Sequence, residues 1–193
     1  KSFGAINVTP TANTSADLFV LGRINYSDTE TINLGVKVID GSNRLWGQKE
    51  FEHRVSPAFY RDAKRASTDP YGPVFKQVAD YVYSLVKKKK ESELENIKLV
   101  SNLRYAAAYS PDSFNQYLDT STRILRGEKY TVFEATGAPS LNDPMLKRIE
   151  AIRAQDQMFV DNLQENYDLF HLETDASYRK YQRDTMVVAR KIR

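Results

Sequence analysis

The side chains able to do chemistry are few and scattered. The chain has 193 residues, two histidines (His53 and His171) and no cysteine. An imidazole becomes a base or a metal ligand only when a second titratable group is held within reach of it. These two lie in different halves of the chain, and neither has a motif partner nearby. The lack of cysteine excludes disulfides, thiol nucleophiles and Cys-ligated metal within these residues, and it fits cytosol and periplasm alike. The paired acids Asp156 with Asp161 and Glu50 with Glu52 read as solvated positions on a helix and a strand. No HExxH, GxSxG, GKS/T, GxGxxG or Asp-rich calcium loop occurs. The sequence therefore names no catalytic residue, cofactor or metal ligand, and the chain reads as a non-enzyme.

The cations are more organised. The formal charge is only +3, but residues 1–90 carry 14 Lys/Arg against 9 Asp/Glu while residues 91–193 carry 14 against 16. The excess gathers in Arg61, Lys64 and Arg65 and in the run Lys87, Lys88, Lys89 and Lys90. Such a patch suits anionic lipid or nucleic acid, whereas a lysine run closing a helix equally complements the negative end of the helix dipole. The 12 tyrosines are spaced along helical segments rather than alternating with cations on a strand, as a base-stacking platform requires. Nucleic-acid binding thus remains the lesser alternative.

Three apolar runs between Ala16 and Val55 must position whatever the chain presents. Leu18, Phe19, Val20 and Leu21 form a continuous run that predicts a strand covered on both faces. Ile32, Leu34, Val36 and Val38 alternate with Asn33, Gly35 and Lys37, as a half-buried strand does. Tyr26 to Glu30 is a loop of hairpin length, and Asp40-Gly41-Ser42-Asn43 supplies a second turn. Leu45, Trp46 and Phe51 mark a third strand. From Pro73, the positions Val74, Phe75, Val78, Ala79, Val82, Leu85 and Val86 recur at three and four and predict a helix covering this antiparallel meander, with Trp46 partly buried beneath it.

This region resembles the envelope α/β domain shared by the amino-terminal domain of TolB, the CsgG-type lipoproteins and the LpoB-type synthase activators. The residues that carry the likeness are Ala16, Asp17, Gly22 and Ile24, then Val38, Ile39, Asp40 and Gly41, then Trp46 and Phe51, then the helix Tyr71 to Val86. The family domain begins with a strand and a long helix, whereas here only Lys1 to Ser15 precede the meander, with Phe3, Ile6 and Val8 in alternation. The resemblance implies a periplasmic protein, anchored to the outer membrane through a lipidated cysteine upstream of Lys1. It also implies ring formation or binding to a cell-wall enzyme, with no role for a named residue.

Past the meander, Ala58 to Pro73 reads as a long connection with a helical turn near Phe59 to Lys64. Leu94 to Tyr109 predicts a helix. Ser110 and Pro111 then restart one, along Phe114, Tyr117, Leu118, Thr122 and Leu125, until Gly127 stops it. Residues 94–126 are accordingly expected to form an αα-hairpin, 128–143 a linker with a short extended piece at Tyr130 to Phe133, and 144–190 one long helix. The expected fold is α+β, with a small sheet covered by a helix over 1–90 and an all-helical extension over 91–193. On the long helix Ile149, Ile152, Phe159, Leu163, Tyr167, Phe170, Tyr178, Tyr181 and Val188 are spaced by threes, fours and sevens, with Asp156 and Thr174 as polar interruptions. If the helix is straight, Phe159, Leu163, Tyr167, Phe170, Tyr178 and Tyr181 are partner-binding candidates. If it bends at Thr174 to Ser177, they become internal core. The function expected from the whole is a non-catalytic structural or assembly component of a Gram-negative envelope complex, a homo-oligomer or hetero-complex. A regulator that activates a cell-wall enzyme is the alternative.

Overall fold

The computed structural model describes residues 6–8, 16–62, 68–125 and 127–192. The fold is α+β, and its sheet is the expected meander: β1 (Leu18–Ser27), β2 (Thr31–Asp40) and β3 (Leu45–Arg54), antiparallel in the order β1-β2-β3. β2 alternates as its sequence demands, burying Ile32, Leu34, Val36 and Val38. Phe51 of β3 pairs with Leu34 on the same face. A short α1 (Pro57–Arg61) follows, capped by the Ser56 hydroxyl, which accepts from the Ala58 N–H. α2 (Gly72–Val86) then lays Val74 and Val82 on the sheet. Trp46 is half-buried against this core and donates from Nε1 to Asp40 Oδ2 at 2.7 Å.

β1 departs from the expectation of cover on both faces. It is an edge strand, and from Val20 to Ser27 every residue is exposed. The reason is reach, because α2 packs over β2 and β3 and leaves the β1 side of that face uncovered.

The turn after β2 ties the sheet to α3 (Glu91–Tyr109). The buried Asp40 carboxylate accepts from the Ser42 and Arg44 N–H groups at 2.9 Å each. Gly41 donates to the Asp17 carbonyl at 2.9 Å, while Ser101 and Arg104 of α3 donate to the Ala16 and Gly41 carbonyls. Gly41 is required by this approach, since a Cβ there would come within 2.9 Å of Ser101 Cβ. The Ala-Asp and Asp-Gly pairs quoted for the resemblance are thus joined directly. α3 opens with the Glu93 carboxylate accepting from the Lys90 N–H at 2.9 Å, which holds Glu93 below the usual carboxylate range.

Residues 91–193 are not all-helical. The helix expected over 110–125 stops after one turn, α4 (Pro111–Phe114), and a 3-10 turn at Asn115–Tyr117; the αα-hairpin is absent. β4 (Leu118–Leu125) and β5 (Glu128–Ala135) instead form a hairpin, so the first half of the expected linker is strand. Gly127, at φ +86°, is a hairpin-turn residue rather than a helix stop. Thr120, Thr122 and Ile124 are β-branched at a period of two, the pairing signal that competes with helical spacing in this stretch. Long-range contacts favour the strands. Phe133 N–H donates to the Ser42 carbonyl at 3.0 Å, Asn43 donates to the Thr131 carbonyl at 2.6 Å, and the Arg104 guanidinium lies over the Phe133 ring.

α5 (Pro144–Ile192) runs unbroken for 49 residues, about 73 Å at 1.5 Å per residue, so the bend at Thr174 to Ser177 does not occur. Its first turn is held by Asp143 Oδ1, which accepts from the Met145 N–H at 2.7 Å. Near this end Ile149 joins Leu103, Ala106 and Phe114 in a second core, with Met145, Leu146 and Ile152 packed around it.

Candidate interaction surface

α5 is fixed near both ends. Towards its start, Arg153 donates to Asn102 of α3, and Asp156 accepts from the hydroxyls of Tyr105 and Tyr109. Asp156 is therefore no flaw in an apolar seam but the acceptor for two phenols. Burial, then the hydrogen bond to Asp156, pushes Tyr105 well above the ordinary phenol range. Towards its end, Arg179 bridges Asp69 at 3.0 Å and Asp175 at 2.7 Å. There Gln182 is 2% exposed beside Phe59, Tyr60 and Pro70, and Met186 is also buried. Tyr60 donates to the Thr29 carbonyl at 2.5 Å, and burial raises its pKa, as it does that of Tyr71. Tyr60 and Asp69, in the stretch expected as a connection, thus supply the far anchor of α5.

Between the anchors the helix is mostly bare. Phe159 is 64% exposed, Phe170 61% and Leu172 77%; Met158 and Leu169 are also exposed. Of the candidates named from sequence, Phe159, Tyr167, Phe170, Tyr178 and Tyr181 are exposed and Leu163 is half-buried. Residues 6–8 lie alongside, with Asn7 donating to Asp161 and the Val8 N–H donating to Gln164. At 100° per residue, Phe159, Phe170 and Tyr181 fall within about 40° of one another, and Met158, Leu169 and Leu172 within about 60°, on one broad outward arc. Ile149, Val160, Gln182 and Met186 are buried and Ile152 and Leu163 half-buried, while Asp156 stays exposed; Ile152 and Leu163 share the azimuth of Phe159 and Phe170, so place along α5 rather than face decides which of these is covered. Sequence reasoning missed Val160, Gln182 and Met186. Val160 lies one turn on from Asp156, the acceptor on the α3 side, but nothing marked Gln182 as buried.

Charge is also segregated. Residues 154–178 hold six carboxylates (Asp156, Asp161, Glu165, Asp168, Glu173 and Asp175) and no Lys or Arg. Among the described residues Asp161, Glu165, Asp168 and Glu173 have no ion-pair partner.

The basic residues do not form one patch. Arg61 closes α1 near the start of α2, whereas Lys87 to Lys90 follow its end, about 22 Å away along a 15-residue helix. Lys64 and Arg65 lie outside the described residues. Two of the lysines have local uses: Lys89 lies over the Trp46 ring and bridges Glu93 at 3.4 Å, and Lys87 lies over Tyr83. His53 is half-buried on β3 and His171 is exposed on α5.

A cleft of about 320 Å³ opens between the sheet and the hairpin, lined by Lys37, Ile39, Gln48, Lys129 and Tyr130 among others. Among the described residues no three metal-ligating side chains stand together, and no helix is long and apolar enough to cross a membrane.

The chain matches no family model, no curated protein and no solved structure.

Proposed function

We propose that this chain is a non-catalytic assembly component of a Gram-negative cell envelope, acting in the periplasm by docking another protein along α5. One observation carries the docking: a helix anchored at both ends exposes Met158, Phe159, Leu169, Phe170 and Leu172 in the interval between. Large aromatic and aliphatic side chains held on a rigid helix are the usual energetic centres of protein interfaces, and their exposure here has no role in either core. The compartment rests on the resemblance of the meander to the TolB, CsgG and LpoB group. Outer-membrane anchoring through an upstream lipid belongs to the same reading.

Size fractionation of gently solubilised cells tests it. The chain should separate with the envelope and run well above its monomer mass, and Phe159→Ala with Phe170→Ala should return it to the monomer position. A wild-type chain found as a soluble cytosolic monomer would overturn both parts.

A further inference from the structure

From the charge on this face we infer that its occupant is a cationic amphipathic helix of another protein, lying along α5 between Met158 and Ala176; this rests on the docking role proposed above. Two features meet on the same arc. Leu172, Met158 and Leu169 form its one flank and Phe159 and Phe170 the other, spread over about 160°. Glu165 and Glu173 project within that arc, while Asp161 and Asp168 border it, and none of the four has an ion-pair partner among the described residues.

The sign of this charge selects among occupants. Nucleic acid and anionic lipid are repelled by these carboxylates, of which Asp161 and Asp168 accept only from the neutral amides of Asn7, Gln157 and Gln164, although the chain as a whole carries +3. A second copy docked face to face would bring two such acidic stretches together, a like-charge juxtaposition that disfavours self-pairing. A helix with leucine-like residues on one face and Lys or Arg flanking them satisfies both features: its apolar row covers the aromatics and its cations meet the four carboxylates. The length is sufficient, since 18 residues of axial rise give about 27 Å, the scale on which helix-in-groove partners set anchors at i, i+3, i+4 and i+7.

The test titrates the intact chain with two synthetic amphipathic helical peptides of the same leucine pattern, one flanked by lysine and the other by glutamate. The lysine peptide should bind, more weakly as salt rises, and the glutamate peptide should not. Asp161→Asn, Glu165→Gln, Asp168→Asn and Glu173→Gln together should weaken binding at least about tenfold, and so should Leu169→Ser with Phe170→Ser. Circular dichroism melts confirm that both variants remain folded, as expected for exposed positions. Undiminished binding to either folded variant, or equal binding of both peptides, would overturn the inference. So would a concentration-dependent dimer abolished by Phe170→Ser, because the occupant would then be a second copy. Those failures leave the docking role standing if the native chain still runs in a large complex, whereas a native monomer would remove the docking role itself.

Discussion

Near its start α5 inserts Ile149 into a core with Leu103, Ala106 and Phe114, and near its end it buries Gln182 and Met186; between Met158 and Leu172 it leaves its largest apolar side chains in water. The same helix thus obeys two rules. Where it is packed, side chains are chosen for the space beneath them, even when one is a glutamine. Where it is bare, apolar residues and carboxylates share a face that contributes little to folding. Burial, and not hydrophobicity along the sequence, separates positions that stabilise the fold from positions free to bind.

The largest effect should come from the packed start. Phe114 is fully buried, so Phe114→Ala should cost about 3 to 5 kcal/mol, and Ile149→Ala about 2 to 5 kcal/mol, read from denaturant unfolding. A loss below about 1 kcal/mol at both would mean that this end is not a true core.

High pH should sharpen the contrast through Tyr105 at one anchor and Tyr60 and Tyr71 at the other. Their folded pKa values are all raised, with burial the leading cause. Unfolded, these phenols ionise near about pH 10, so the unfolded chain sheds protons that the folded chain retains. Stability from this source is complete below about pH 10 and declines as pH rises through the raised folded values. A melting series from pH 8 upward, compared with Tyr105→Phe, checks this: the variant should lose less stability at the alkaline end, and identical profiles would remove Tyr105 from the account.

The smallest effect belongs to the bare interval. Leu172→Ser and Phe170→Ala should each change folding stability by no more than about 0.5 kcal/mol, the range of ordinary surface substitutions.

The sequence made much of this legible, for reasons visible in particular residues. β2 was readable because one face is wet and one dry, so Ile32, Leu34, Val36 and Val38 declare their period. α5 was readable because nothing between Met145 and Ile192 breaks a helix. β1 misled because an apolar run looks the same whether covered or left at an edge; what covers it is set by where α2 lands. The stretch Ser110 to Leu125 fits helical spacing through Phe114, Tyr117 and Leu118, yet contacts from Ser42, Asn43 and Arg104 to β5 favour a hairpin, and no local window contains them. On α5 the aromatics Phe159, Tyr167, Phe170, Tyr178 and Tyr181 named from sequence are exposed, whereas the burial of Gln182 was hidden because it is polar.

The most direct measurement is a scan with a photo-crosslinking residue placed singly along α5 in the native host. Docking on the bare interval predicts one discrete protein adduct from positions 158, 159, 169, 170 and 172, and none from exposed Lys147 or Arg148 beside the packed start. Adducts of equal yield at Lys147 and Phe170, or none from the interval at native expression, would contradict it.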